Sequence, residues 1–214
     1  MRERLKKIFS SGAFFWIPGC AAAYLWIFLA GTAADALSPL NLDVFAPGIL
    51  VVVPALLMPL QRGFAVALVS GLLFDASLPI PYETMEAALG SSAEYVSLFG
   101  ETAVNVPSTT GFGMMWTAIF FFVLRFFRRF VAEDSPREWL FCALAVNFVI
   151  FLLWACGIGW RRLGTAEFWL SFAADALTAS AFIVLLGWWY FDAVVSLYRI
   201  CGADLLGEER EAAA

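Results

Sequence analysis

Residues 62–75 read Arg-Gly-Phe-Ala-Val-Ala-Leu-Val-Ser-Gly-Leu-Leu-Phe-Asp, and this stretch decides how the chain folds. Small residues recur in it at every fourth position, at Gly63, Ala67 and Gly71, and the series ends at Asp75. Residues spaced by four share one face of a helix. In lipid, small side chains let two helix backbones approach closely. The stretch therefore predicts a membrane helix whose small-residue face packs against another helix.

The chain around this stretch is too apolar for a water-soluble protein. Of its 214 residues 62% are hydrophobic and 14% are charged, whereas soluble domains carry about 25% charged residues. There are too few polar side chains to cover a soluble core of this size. No repeat or linker divides the chain. We therefore predict an all-α integral membrane protein, with residues 1–214 forming one bundle of about six transmembrane helices.

Six segments are long and apolar enough for this prediction, since crossing the hydrocarbon core takes roughly 20 helical residues. They are Phe14–Ala34, Val44–Leu60, Gly63–Phe74, Thr110–Phe127, Trp139–Ile158 and Phe168–Tyr190. The third is short, so it extends past Asp75, forms a tight hairpin with the second, or enters the membrane only in part. Pro54 lies in the middle of the second segment and predicts a bent helix, because proline removes a hydrogen bond of the helix interior.

Basic residues orient the bundle, because they are retained on the cytoplasmic side. Eleven of the thirteen Lys and Arg residues fall at the N-terminus, after the second and fourth segments, or at the C-terminal end. The other two are Arg161 and Arg162. Both termini are therefore expected in the cytoplasm. Trp188, Trp189 and Tyr190, and the run from Arg125 to Arg129, are expected to anchor the helices at the inner membrane surface.

Two segments are expected outside the membrane. Ala76–Thr109 contains four glutamates and no basic residue, which indicates an acidic extracytoplasmic loop. It serves as a plain connection or as a lid or docking surface for a periplasmic partner. Residues 202–214 have the composition of a disordered cytoplasmic tail.

Four polar positions are candidates for more than solvation. Asp75, at the outer end of the small-residue face, is solvated, caps the next segment, or binds a partner group, and we favour the cap. Asn147 is expected to join helices by hydrogen bonds. Asp175 lies deep in the last segment and is expected to face the bundle interior. It forms a structural ion pair with Arg161 or Arg162, or it serves as a ligand or proton site.

Several kinds of chemistry are disfavoured by the residues present. The chain contains no histidine, and its four cysteines stand singly, without a CxxC pair. We therefore expect no metal site, no cofactor, no nucleophile beside a base, and no enzymatic activity. The basic residues do not form one stripe, so a nucleic-acid partner is not expected. Membrane lipid is the one partner that composition requires.

The motif itself resembles the MreD family of rod shape-determining membrane proteins. In that family an Arg-Gly turn leads into a helix that ends in Gly-Leu-x-x-Asp, here Arg62-Gly63 followed by Gly71 to Asp75. A Gly-containing helix start comes later, which Gly111-Phe112-Gly113 supplies. The similarity is best over Val44–Phe130. In most of the family the Asp is followed closely by the next helix, whereas here Ala76–Thr109 intervenes.

The resemblance implies a non-enzymatic component of the bacterial inner membrane. Such a protein works in the elongation machinery that inserts peptidoglycan along the side wall, together with an MreC-like bitopic protein and peptidoglycan synthases. The fold of the family is similar to the substrate-binding S components of energy-coupling-factor vitamin transporters. A solute-binding subunit of a transporter is therefore the alternative, and it requires a polar pocket near Asp75 and Asp175.

Overall fold

The computed structural model describes residues 16–40, 42, 44–77, 111–131, 135–158, 163–201 and 205. Within these residues the regular structure is helical, and strands are absent. The α-helices are α1 (Trp16–Leu37), α2 (Ile49–Leu57), α3 (Leu60–Ser77), α4 (Phe112–Phe127), α5 (Pro136–Ile158) and α6 (Ala166–Ile200). Short 3-10 helices follow α1 at Ser38–Leu40 and α4 at Arg128–Phe130.

Three stretches of the described chain are long and apolar enough to cross a membrane. They are Trp16–Leu40, Pro136–Cys156 and Ala166–Ile200. Helix α6 has 35 residues and is about 52 Å long at the helical rise, well beyond a hydrocarbon core of about 30 Å. The chain therefore has the helices of a membrane protein.

Helix α2 is the centre of the bundle, and it is much shorter than predicted. It has nine residues, and all of them are buried. Helices α3, α4, α5 and α6 all pack against it. Its length is about 13 Å at the helical rise, less than half of the membrane core. The continuous helix expected over residues 44–60 was therefore wrong, because the helix covers only Ile49–Leu57.

Proline explains where α2 stops. Pro54 lies within the helix, and Pro59 follows two residues after its end. Because a proline disfavours the helical conformation of the residue before it, Met58 is extended, with φ −106° and ψ 152°. The carbonyl of Pro59 then accepts the hydrogen bond of Gly63 N at 2.8 Å, in the first turn of α3. The second and third segments are thus joined by a tight turn.

The third segment is longer than the stretch Gly63–Phe74 predicted for it. Helix α3 runs for 18 residues, from Leu60 to Ser77, so it extends past Asp75, as one of the three alternatives proposed. Its last two residues, Ala76 and Ser77, therefore belong to the helix and not to the predicted outer loop. The rest of that loop, residues 78–109, lies outside the described residues.

One other expectation needs correction. Tyr190 was expected at the membrane surface beside Trp188 and Trp189, but it is buried, whereas both tryptophans are about half exposed. Tyr190 points inward because its ring packs against Trp26 of α1, with ring centroids 5.0 Å apart. Of the predicted disordered tail, the structure describes only Leu205, and its side chain is 4% exposed. That residue packs on the bundle, and the rest of the predicted tail lies outside the described residues.

Candidate functional site

Asp75 joins α3 to the start of α4. Its Oδ1 accepts a hydrogen bond from Gly113 N at 2.6 Å, and its Oδ2 accepts from Gly111 N and Met114 N, each at 3.1 Å. The first N–H groups of a helix have no partner within the helix, and the helix dipole favours a negative charge at that end. The carboxylate therefore caps α4, which is the role that the sequence analysis favoured.

Glycines make this junction possible. Gly111 has φ 92°, a left-handed conformation that glycine adopts without steric cost. A Cβ atom on Gly71 would meet the Thr117 hydroxyl, Gly113 O at 2.6 Å and Met114 Cα at 2.7 Å. A Cβ atom on Gly113 would lie 2.8 Å from Gly71 O and 2.9 Å from Asp75 Oδ1. The two backbones thus touch at the motif residues, and neither glycine has room for a side chain.

The same face of α3 continues inward to α2. Ala67 is fully buried, and a Cβ atom on Gly63 would collide with the carbonyl oxygen of Pro54. The stripe Gly63, Ala67, Gly71 and Asp75 is therefore one contact face, used within the molecule along its whole length.

Asn147 holds the other side of the buried core. Its Oδ1 accepts from Gly48 N at 3.0 Å, and its Nδ2 donates to Phe45 O at 2.9 Å. Asn147 is the middle residue of α5, so α2 begins near the mid-depth of that helix. Non-helical backbone at this depth is tolerated only where its polar groups find partners in the protein. Asn147 thus provides partners for the chain just before α2, and it is a joint between helices.

Trp26 completes this set of contacts from the first helix. Its indole Nε1 donates to Ala46 O at 2.8 Å, and its side chain is 1% exposed. The sequence analysis did not single out Trp26. A tryptophan in the middle of an apolar segment gives no signal that distinguishes a buried donor from a residue of the lipid-facing surface.

Arg125 closes the opposite end of α2, and its role was also missed. Its Nη1 donates to Met58 O at 2.9 Å and to Ala55 O at 3.3 Å. These carbonyls belong to the last turn of α2 and the residue that follows it, where a helix lacks partners and favours a cation. The sequence predicted only a surface anchor for Arg125. The available signal was Pro59, which predicts the end of a helix close to the inner surface.

Aromatic rings fill the space beyond the start of α2. The ring of Phe45 lies 5.2 Å from that of Phe151, 5.5 Å from that of Phe74 and 5.9 Å from that of Trp154, centroid to centroid. Trp154 lies 4.5 Å from Phe112 at the start of α4. This aromatic cluster, comprising Phe45, Phe74, Phe112, Phe151 and Trp154, occupies the part of the bundle between the Asp75 junction and Asn147.

Asp175 is less enclosed than predicted. Its side chain is half-buried, whereas Ala179, one turn further along α6, is buried, and Ser171, one turn earlier, is exposed. Of the three positions on this helix face, only Ala179 is therefore enclosed by the bundle. The proposed partners Arg161 and Arg162 lie outside the described residues, so the predicted pairing with Asp175 stays a prediction.

The described residues form no metal-ion site and no pair of neighbouring thiols. No group of three or more Cys, Asp or Glu side chains that could hold a metal ion occurs among them. The four cysteines are free thiols at separate positions. Burial raises the pKa of the Cys201 thiol, just beyond α6, so less of it is in the nucleophilic thiolate form at neutral pH.

Comparisons with models of known protein families, with curated proteins and with solved structures find no match. The family resemblance therefore depends on the residues quoted from the sequence. Six of these were named as partner or packing candidates, namely Gly63, Ala67, Gly71, Asp75, Gly111 and Gly113. The fold brings all six to α3 and its contacts with α2 and α4.

Proposed function

We propose that this protein is a non-enzymatic scaffold of the bacterial inner membrane that works in cell elongation, in the manner of the MreD family. The observation that carries the proposal is the Asp75 junction. Four residues of the resemblance form this contact. Gly71 and Asp75 of α3 lie far in sequence from Gly111 and Gly113 at the start of α4, and the two pairs meet there. A short motif that maps onto a single structural joint is more specific than its apolar residues alone suggest.

The junction favours a structural role over ligand binding. Asp75 is 9% exposed, and both of its oxygens accept backbone hydrogen bonds. The amide group of Asn147 is also engaged on both sides. A solute site needs convergent polar groups that are free to meet a ligand. The strongest polar candidates instead bind the backbone of their own bundle.

The alternative, a solute-binding subunit of a transporter, draws on the break before α2. Many transporters bind their substrates near mid-membrane, where a discontinuous helix presents its N-terminus. Helix α2 begins in such a position, next to Asn147. Two features weigh against the alternative: Gly48 N is already paired with Asn147, and the aromatic cluster occupies the region toward the Asp75 junction.

The proposed topology has six membrane segments and both termini in the cytoplasm. In this arrangement residues 44–57 form the second segment, with a non-helical outer part and the helix α2 as its inner part. Helix α3 returns to the outer surface and ends at the Asp75 junction. Helix α4 then runs inward to Arg125, which supports the proposed placement of basic residues on the cytoplasmic side.

The proposed partners are an MreC-like bitopic protein and the peptidoglycan synthases of the elongation complex. Affinity capture of the tagged full-length chain from membranes of its own organism tests this. We expect recovery of the MreC-like protein and wall synthases, and rounding of cells on depletion. Recovery of an ATPase module, together with a bound vitamin, would instead identify a transporter subunit and reject the scaffold.

A matched pair of variants makes the capture specific. Gly71→Ala opens the junction between α3 and α4, whereas Gly31→Ala places a methyl group on α1 where no atom lies within 4 Å. Capture of the MreC-like protein should fall with the first variant and persist with the second. Equal capture by both would show that the junction is unrelated to partner binding.

A further inference from the structure

A stripe of exposed apolar side chains runs along α4. Its members are spaced by four and three residues, so they lie on one face of the helix. They are Met115, Ile119, Phe122 and Phe126, each between 42% and 65% exposed. Helix α3 borders the stripe through Phe64, whose ring lies 5.2 Å from that of Phe122, centroid to centroid. In the part of the bundle that the structure describes this face is open, so in a membrane it meets lipid.

The stripe ends in a positive charge that two aromatic rings hold in place. Arg129 is exposed, and its guanidinium carbon lies 5.5 Å from the ring centroid of Phe126 and 4.8 Å from that of Phe130. Such cation–π contacts use the face of the guanidinium and leave its in-plane N–H donors unused. No acceptor among the described residues takes these donors. The guanidinium is therefore oriented and ready to bind an acceptor from outside the bundle.

The order of residues along α4 matches the order of groups in a phospholipid. Helix α4 has no charged residue before Arg125, in its last turn, so the exposed stripe up to Phe126 suits acyl chains. Arg129 follows it, where the phosphate of a lipid in the same leaflet lies. Phe126 and Phe130 are 65% and 66% exposed, and phenylalanines beside basic residues are typical of segments at the boundary between acyl chains and headgroups.

The local charge favours a lipid with a net negative charge. Arg125 lies one helical turn before Arg129, and it donates to two backbone carbonyls. Carbonyl oxygens are neutral, so these contacts leave its positive charge uncompensated. Residues 111–131 contain no Asp or Glu. Basic side chains near the membrane surface attract anionic lipids, whereas a zwitterionic lipid brings an ammonium group that the two arginines repel.

We propose that Arg129 binds the phosphate of an anionic phospholipid of the phosphatidylglycerol class. Phe126 and Phe130 orient the guanidinium, and one acyl chain lies along the exposed stripe past Phe122 and Ile119. The site requires that α4 lies in the membrane, but it is independent of the proposed scaffold function. Its residues lie on the open face of α4, and none of them takes part in the Asp75 junction.

Native mass spectrometry of the purified, delipidated full-length protein tests the proposal with added phosphatidylglycerol or phosphatidylethanolamine. We expect phosphatidylglycerol to be retained about fivefold better, the effect of one basic residue on an anionic lipid. Arg129→Gln should weaken phosphatidylglycerol binding about tenfold, the loss expected for a hydrogen bond between charged groups. Arg199→Gln, a matched change of an exposed arginine in the last turn of α6, should leave this binding unchanged.

Two further measurements locate the lipid. Phosphatidylglycerol with a photoreactive diazirine in the middle of one acyl chain should label residues 115–122, and Arg129→Gln should reduce that labelling. Phe126→Leu keeps an apolar side chain but removes a ring from the guanidinium, so it should weaken phosphatidylglycerol binding about threefold. Phe141→Leu changes a phenylalanine of α5 that is 73% exposed and should have no effect. Thermal unfolding of each variant distinguishes lost binding from lost folding.

Three results would overturn the proposal. Equal retention of the two lipids by the unchanged protein would show that the net charge of the headgroup is not recognised. Glycerol 3-phosphate that binds as tightly as the whole lipid would identify a soluble ligand instead. Unchanged retention of phosphatidylglycerol in Arg129→Gln would show that the lipid binds elsewhere and that Arg129 serves another partner, such as Glu133 or Asp134, which lie outside the described residues.

Discussion

Helices α2 and α6 are the two extremes of this bundle. Helix α2 has nine residues, all buried, and side chains of α4 and α5 satisfy the backbone at its two ends. Helix α6 has 35 residues, and only 22% of the residues in its membrane-crossing stretch are buried within the molecule. A long helix satisfies its own backbone and needs its neighbours mainly for packing. A half-length helix at membrane depth exists only because other elements complete it.

This contrast predicts where substitutions act. Changes at the contacts around α2 and at the Asp75 junction should lower stability strongly. Changes on the exposed faces of α1 and α6 should have little effect. Detergent-induced or thermal unfolding, followed by tryptophan fluorescence, measures each loss against that of a matched position.

The largest effect is expected at the crossing of α3 and α4. Gly71→Val places a branched side chain against Thr117, Gly113 O and Met114 Cα, and should cost on the order of 4 kcal/mol or prevent assembly. Gly31→Val on α1 meets no atom within 4 Å and should change stability by less than about 1 kcal/mol. Similar unfolding of the two variants would refute the close crossing.

The second-largest loss of stability is expected at Asn147. Asn147→Leu leaves Gly48 N and Phe45 O without partners and should cost about 3 kcal/mol, because each buried backbone group without a partner costs roughly 1–3 kcal/mol. Ser180→Ala is the control. The Ser180 hydroxyl donates to Ala176 O of its own helix, and helical pairing of that carbonyl does not need it. A small effect of Asn147→Leu would show that α2 does not depend on this joint.

Asp75 should have a somewhat smaller effect, because it lies at the end of its helix, where water can replace part of the lost contact. Asp75→Ala removes the cap of α4 and should cost about 2 kcal/mol. Asp35→Ala changes an exposed carboxylate at the same end of the bundle and should be neutral. If both variants unfold at the same detergent concentration, the carboxylate does not hold the junction.

Arg125 should show the smallest of these losses. Arg125→Met keeps the apolar length of the side chain but removes the donor to Met58 O and Ala55 O, and should cost about 1 kcal/mol. Arg129 lies over the rings of Phe126 and Phe130, 5.5 Å and 4.8 Å from their centroids, and is exposed. Arg129→Met should therefore have less than half that effect. A larger loss of stability in Arg129→Met than in Arg125→Met would indicate that Arg125 is only a surface anchor.

The sequence predicted what depends on local pattern. Composition gave the membrane class, four-residue spacing gave the packing face from Gly63 to Asp75, and the favoured cap at Asp75 agrees with its hydrogen bonds. Contacts between segments that are distant in sequence could not be predicted from such patterns. The length of α2 depends on side chains of Asn147, Trp26 and Arg125 that replace missing helical hydrogen bonds, and no local pattern reveals which backbone groups a distant side chain meets.

Hydropathy also led to a wrong prediction of where the second helix begins and ends. Residues 44–60 form one apolar stretch, so a helix through all of them was expected. Pro59 forces Met58 into an extended conformation, and the chain before Gly48 is held by side chains from other helices. Pro59, just after the end of α2, was therefore more informative about the length of this helix than Pro54 within it.

The bundle is closed between the Asp75 junction and the start of α2, where the aromatic cluster lies. Ala46→Cys tests it most directly, in a chain whose four native cysteines are replaced by alanine. Ala46 is 2% exposed, so a membrane-impermeant maleimide should label it far more slowly than Asp35→Cys, an exposed position that the proposed topology also puts on the outer side. Labelling of both thiols at similar rates would mean that water reaches the middle of the bundle. That result would contradict the closed core and favour a solute-binding protein.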